Sequence, residues 1–182
     1  PLFKDSLRIQ FGVGSLGNAL MGALGDADFD DRDLIYFGEV IQDGILDLLD
    51  DGELESASAT SLALSRDGQD RLYEQADRYA EDIILRLADV SNNPALIDRF
   101  GVVGVNSALE VDLFGHVNST HVNGNYAMNG IGGSGGLKPH APTAALAPPP
   151  PPPRGAQSPA APLARPTPHT ENDLHVFVHQ QG

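Results

Sequence analysis

An α/β fold with an open, largely parallel sheet and flanking helices is predicted by three observations. Short apolar runs alternate with helical repeats through the first 135 of the 182 residues. The runs are continuous and about five residues long, as buried strands are. Glycine and Asn-Pro signals separate them, and strands that alternate with helices argue a parallel sheet rather than hairpins.

The elements follow in order. Residues 7–11 are a strand that runs into Gly12-Val13-Gly14-Ser15-Leu16-Gly17. A short helix over 18–24 follows, and the acidic stretch 25–33 reads as a solvated loop. Leu34-Ile35-Tyr36-Phe37 is a buried strand with Glu39 just past its end, and Ile41, Ile45, Leu48 and Leu49 then begin a helical repeat. That helix ends at Gly52, a fitting residue just beyond a helix C-terminus. Residues 56–64 read as extended. Leu72, Ala76, Tyr79 and Ala80 mark a second amphipathic helix, and 83–85 a short strand. Asn93-Pro94 pairs an N-capping residue with proline at the first helical position, and Gly101 closes that helix. Residues 102–111 read as a buried strand. Phe114-Gly115 turns into a paired strand through 116–122, and the glycine loop 130–135 ends the region.

Composition narrows the function. There is no cysteine, which removes disulfides, thiolate metal sites and cysteine nucleophiles. Asp and Glu total 25 against 11 Lys and Arg, for a net charge of −14, and Lys4 and Lys138 are the only lysines. Such a surface repels phosphate backbones and anionic lipids, so nucleic-acid and membrane roles are disfavoured. The same balance suits a protein kept soluble in high salt, so a halophilic source is expected. The chain starts at Pro1 and its first residues already read as structured, which suggests a piece of a longer polypeptide. No signal-peptide pattern or membrane-length apolar run is present in the sequence, and a cytoplasmic location is expected.

Residues 136–168 differ in kind. They hold 12 of the 14 prolines, including Pro148 to Pro153, among Ala, Gly, Ser and Thr. Such composition buries too little apolar surface to offset ordering entropy, so disorder with polyproline-II character is expected. A strand-like segment returns within 169–182, at Leu174-His175-Val176-Phe177-Val178.

Several motifs carry chemistry. Glu39 stands at a strand-to-helix junction, where a helix N-terminus favours negative charge. A carboxylate nucleophile fits there, as does an acid that only complements the helix dipole. Gly12-Val13-Gly14-Ser15-Leu16-Gly17 satisfies G-x-G-x-x-G after a strand, with Asp33 or Glu39 about 20 residues on, so a nicotinamide-binding domain is a rival reading. The loop 130–135 can cradle phosphate or stabilise an oxyanion, or can be a turn. His116 with His121, and His175 with His179, lack a completing acid or cysteine, and no metal site is expected. Glu110 and Asp112 flank Val111 and share a face, either for acid–base work or, more simply, as solvated strand-end acids.

Taken together, ordered segments over residues 7–135 resemble the C-terminal half of the acetyl-CoA hydrolase and CoA-transferase family, which includes succinyl-CoA:acetate and 4-hydroxybutyrate CoA-transferases. Gly12-Val13-Gly14-Ser15-Leu16 resembles its glycine-rich CoA loop. Gly38-Glu39-Val40-Ile41-Gln42-Asp43-Gly44 resembles its nucleophile segment, although threonine or serine more often precedes the glutamate. Ser91-Asn92-Asn93-Pro94 matches a segment with an active-site asparagine. The stretches 106–120 and 129–135 are the most specific. The resemblance implies a CoA-transferase-like fold, with residues 1–135 as the C-terminal catalytic part. It implies CoA as substrate and carrier with no permanently bound cofactor, small carboxylates such as acetate or succinate as partners, and a homo-oligomeric parent. Glu39 would be the covalent nucleophile, passing through a mixed anhydride to a glutamyl-CoA thioester. Asn92 would line the acyl or carboxylate pocket. Gly12, Val13, Gly14, Ser15, Leu16, Leu109, Asn129 and Gly133 would contact CoA.

The chain departs from the family after Gly135. Pro153 stands about where a CoA-contacting lysine belongs, and Gln180 where the family has a glutamate, so the resemblance implies a fragment with impaired activity. The 33 residues of 136–168 closely match the length they replace, which suggests a compensated frameshift. The remaining reading is a non-enzymatic remnant with a proline-rich interaction segment.

Overall fold

A computed structural model describes residues 6–25, 32–122, 126–127, 143–147, 160–161 and 176–177. The first half of the chain alternates as its sequence implies. Strand β1 (Ser6–Phe11) leads to helix α1 (Ser15–Gly25), β2 (Asp33–Phe37), β3 (Val40–Ile41), α2 (Asp43–Asp50), β4 (Ser56–Ala59) and β5 (Ser61–Leu62). Helices α3 (Arg66–Glu74) and α4 (Ala76–Asp82) precede β6 (Ile83–Leu85), α5 (Ala88–Ser91) and α6 (Pro94–Phe100). Then come β7 (Val103–Ser107), β8 (Glu110–Asp112), β9 (Val117–Asn118), β10 (His121–Val122), β11 (Tyr126–Ala127), β12 (Thr143–Ala147), β13 (Ala160–Ala161) and β14 (Val176–Phe177).

The main sheet has the order β14-β12-β7-β1-β2-β4-β6, and every neighbouring pair in it is parallel. One face of the central strands is apolar, while the other carries the buried polar side chains Arg8, Gln10 and Ser58. On one face Ile9, Phe11, Leu34, Tyr36, Ala57 and Ala59 join Met21, Ile45, Leu48, Leu49 and Tyr79 in the principal core. On the other, Phe37 packs with Ile97 and Val102, and the Phe37 and Phe100 rings meet edge-on at 5.6 Å. The chain runs outward from β1 through β2, β4 and β6, then returns to the other flank of β1 with β7. Where such an order reverses, the carboxyl ends of the two central strands diverge and open a crevice.

Local chemistry sets the helix ends. Asn93 caps α6, its side-chain oxygen accepting from the N–H groups of Ala95 and Leu96, and Gly101 closes it in the left-handed conformation at φ 66°. Gly52, at φ 76°, follows the C-cap of α2. Helix α2 is tied to α3 by its own acids. Asp43 accepts from the Ser65 N–H at 3.0 Å and its hydroxyl at 2.8 Å, while Arg71 reaches Asp47 at 2.8 Å. Burial opposes ionisation of the Asp43 carboxyl, but the Ser65 hydrogen bonds outweigh it and hold the group below its ordinary value.

Four expectations are refined. Glu39 is not in the first turn of α2: Gln42 is the N-cap, Asp43 is the first-turn acid, and two residues of β3 intervene. The extended segment 56–64 breaks at Thr60, whose N–H turns, with that of Ser61, to the Glu39 carbonyl. The second helix breaks at Gln75 (φ −118°, ψ 29°) into α3 and α4. The apolar run 102–111 also divides, because the Leu109 N–H bonds the Asn118 carbonyl at 2.8 Å and carries the chain into the β8–β9 hairpin. In that hairpin Asp112 accepts from the N–H groups of Phe114 and His116 and lies 2.9 Å from His116 Nδ1, while Glu110 accepts from Asn118 Nδ2. These contacts make both acids turn-holding groups.

The proline-rich composition predicts disorder over 136–168, yet residues 143–147 form β12, paired in parallel with β7. Thr-Ala-Ala-Leu-Ala is a proline-free island with every N–H available for a ladder. Ala160–Ala161 pairs with β8. The rest of that segment, including Pro153, lies outside the described residues, as do the loop 130–135 and Gln180.

Ile45 is fully buried at the centre of the principal core. Ile45→Ala is expected to lower the unfolding free energy by about 2–5 kcal/mol in urea titration, whereas Asn93→Ala, which removes only a cap, is expected to cost about 1 kcal/mol. Equal losses in the two variants would contradict the assigned core.

Candidate active site

The candidate residues leave the carboxyl ends of neighbouring strands, so parallel pairing brings distant sequence to one edge of the sheet. Past β2, the chain bends at Gly38-Glu39 before β3. The Gly38 N–H donates to the Ser58 carbonyl at 3.0 Å, and the Glu39 carbonyl accepts from Thr60 N–H at 2.9 Å and Ser61 N–H at 3.1 Å. The backbone of Glu39 is thereby pinned to the end of β4. Its carboxylate is held from a third element: Asn92 Nδ2 donates to Glu39 Oε1 at 2.6 Å across 53 positions of sequence. Asn92 is the C-cap of α5, with its N–H on the Ala88 carbonyl at 2.8 Å. Its own Oδ1 is buried without a hydrogen-bond partner. The two residues expected to be catalytic are thus in direct contact.

Tyr36, which the sequence marks only as a strand residue, completes the bend. It is 1% exposed, and its hydroxyl donates to the Val40 carbonyl at 3.0 Å, with the Phe11 carbonyl 3.5 Å away. Burial pushes its phenol well above the ordinary value; the Val40 contact pulls the other way and the Glu39 charge adds to the rise. Gly38 must be glycine here, because a Cβ would collide with the Tyr36 hydroxyl. A tyrosine in an aliphatic strand, two residues before a glycine, is the signal that could have flagged it.

The glycine loop follows β1 at the strand-order reversal. The Gly12 N–H reaches the Val105 carbonyl at 3.3 Å, joining the loop to β7, and Gly14 sits at φ 129°, which favours glycine. A Cβ on Gly17 would strike the Gly12 carbonyl, so the loop folds tightly onto the start of α1. Ser15 and Leu16 are the first two residues of α1, whose first turn carries no acid. Val13 is 62% exposed. Leu109 lies beyond β7, at the same edge, half-buried. Asn129 and Gly133 lie outside the described residues. Asp33, one of two acids in range for a dinucleotide ribose, sits at the amino end of β2 opposite Ser6, on the far edge from the loop. The other, Glu39, is engaged by Asn92.

A groove of about 710 Å³ lies elsewhere, between α1 and α2, lined by Gln42, Asp43, Asp47, Asp51 and Glu53 among others. Four carboxylates repel an anionic ligand, so the groove is no substitute for the glycine loop. Among the described residues no group of three side chains could hold a metal ion, and no helix is long and apolar enough to cross a membrane.

Residues 68–145 match a family model described as the acetyl-CoA hydrolase/transferase C-terminal domain. Propanoyl-CoA:succinate CoA transferase of Escherichia coli (strain K12) is 39% identical over 178 residues, which cover 98% of this chain and 36% of that protein. Acetyl-CoA hydrolase of Yarrowia lipolytica (strain CLIB 122 / E 150) is 38% identical over 184 residues, 98% of this chain and 34% of that protein. The fold is similar to that of RipA from Yersinia pestis, with a TM-score of 0.76 and 25% identity over 97% of this chain and 42% of that one. The chain spans about a third of the length of the curated relatives it matches. Through these matches and its parallel α/β sheet, the chain is similar to the C-terminal part of acetyl-CoA hydrolases and CoA-transferases, and residues 68–145 match that family's C-terminal domain.

Proposed function

We propose that this chain carries the nucleophile half of an acyl-CoA site, and that Glu39 is the residue that becomes acylated and then thioesterified. The carrying observation is the 2.6 Å hydrogen bond that fixes the Glu39 carboxylate through Asn92. In water a carboxylate is a weak nucleophile toward a thioester. Partial burial and a fixed direction raise its effectiveness by removing orientational freedom before the reaction. Glu39 attacks the acyl carbon, the C–S bond breaks, and CoA leaves as thiolate from a glutamyl–acyl mixed anhydride. The thiolate then attacks the glutamyl carbonyl, releasing the acyl group as carboxylate and leaving a glutamyl-CoA thioester. A second carboxylate takes the CoA in a transferase; water replaces it in a hydrolase.

Each tetrahedral state carries a negative oxygen, which backbone N–H groups stabilise when they are already aimed at it. The glycine loop and the start of α1, free of first-turn acids, suit the anionic carrier. We assign Gly12, Val13, Gly14, Ser15 and Leu16 to CoA contact on the family resemblance, with which this local geometry agrees. The substrates are an acyl-CoA and a small carboxylate of the acetate or succinate kind.

Incubation with acetyl-CoA followed by borohydride reduces a glutamyl thioester to the alcohol. Peptide mass mapping is expected to place that change on Glu39, and to find none in Glu39→Gln. A change elsewhere, or an equal yield in Glu39→Gln, contradicts the assignment. Asn92→Ala is expected to slow labelling roughly 100-fold, the cost of a misdirected reacting group, with the fold retained by circular dichroism.

A further inference from the structure

Tyr36 places a hydroxyl where the core is otherwise closed. Its ring lies 5.1 Å from that of Phe11 and belongs to the principal core, while its oxygen reaches the surface of that core under the Glu39 bend. A buried hydroxyl costs about 1–3 kcal/mol if unpaired, and here it is paired with the carbonyl of Val40, the residue after Glu39. The same oxygen stands 3.5 Å from the carbonyl of Phe11, the last residue of β1 before the glycine loop. One phenol therefore touches the chain on both sides of the site. It meets the strand end that launches the loop and the bend that carries the carboxylate. Gly38 shows how closely the bend wraps it, since no Cβ fits between that residue and the phenol oxygen.

Thr60 and Ser61 bond the Glu39 carbonyl and so hold the Glu39–Val40 peptide toward β4, and Asn92 bonds the carboxylate. The Tyr36 hydroxyl holds the next peptide, Val40–Ile41, through the Val40 carbonyl. Movement of that peptide shifts the chain that carries Glu39 and displaces its carboxylate relative to Asn92.

We propose that Tyr36 is a positioning residue for Glu39, its hydroxyl clamping the 38–40 bend against the end of β1 so that the carboxylate stays aimed relative to the glycine loop. The inference rests on the reading of Glu39 as the nucleophile and adds a second support to it. It assigns Tyr36 no contact with substrate and no proton transfer.

The test compares the unsubstituted chain, Tyr36→Phe and Glu39→Gln by the rate of acetyl-CoA and borohydride labelling across acetyl-CoA concentrations, with amide hydrogen exchange read in parallel. Tyr36→Phe keeps the ring and its core packing. Its labelling rate at saturation is expected to fall roughly 10- to 100-fold, with the half-saturating concentration unchanged. Amide exchange is expected to quicken in residues 38–42 while residues 45–49 of α2 stay protected. Unaltered labelling and exchange in Tyr36→Phe overturn the inference, and so does a loss of labelling accompanied by faster exchange throughout the core, which marks a general structural role. Absence of labelling in the unsubstituted chain is a different failure: it removes the nucleophile reading itself, and the positioning role with it.

Discussion

The hydrogen bond between Asn92 and Glu39 is the constraint on which the site depends. A carboxylate on a surface bend samples many rotamers, and each is lost at a cost when a substrate must be met in one orientation. Here the cost is met during folding. The peptide that follows Glu39 is fixed by Thr60 and Ser61 past the end of β4, the peptide after Val40 by Tyr36, and the carboxylate by the C-cap residue of a short helix. Parallel strands make this possible. Each strand delivers its next loop to the same edge, so residues 39, 60 and 92 become neighbours in space without being neighbours in sequence, with the glycine loop at that same edge.

Charge distribution follows the same logic. The chain is strongly acidic, yet several carboxylates near the site are engaged structurally. Asp43 and Asp47 bind the start of α3 and Arg71, and Asp50 accepts from Arg78 and the Tyr79 hydroxyl. Asp112 holds a turn. Glu39 accepts from the Asn92 amide at its carboxylate and lies close enough to the Tyr36 phenol for its charge to raise that group.

Much of the fold was legible because the signals were local. Leu34 to Phe37 is apolar without interruption, Asn93-Pro94 spells a helix start, and Gly52 and Gly101 occupy the left-handed positions their places imply. The breaks were not legible. Thr60 and Leu109 leave their strands because carbonyls 21 and 9 positions away, those of Glu39 and Asn118, capture their N–H groups, pairings that local propensity does not encode. The strand at 143–147 was obscured by the prolines around it, although its own five residues have none. At the site, Glu39 stood out through its position after an apolar run, but Asn92 could be joined to it only through the family resemblance. Tyr36 reads as core because it stands in a buried strand; its place two residues before Gly38 is the one sequence sign of its hydroxyl, and the structure shows where that hydroxyl goes.

A carboxylate fixed in one direction requires that Asn92 and Glu39 be energetically joined. A double-mutant cycle on unfolding free energy, using Asn92→Ala, Glu39→Ala and the pair, measures that directly. A coupling of at least about 0.5 kcal/mol is expected for a contact of this kind. Strict additivity of the two single losses would show that the side chains do not hold one another, and would remove the fixed carboxylate from which the mechanism was built.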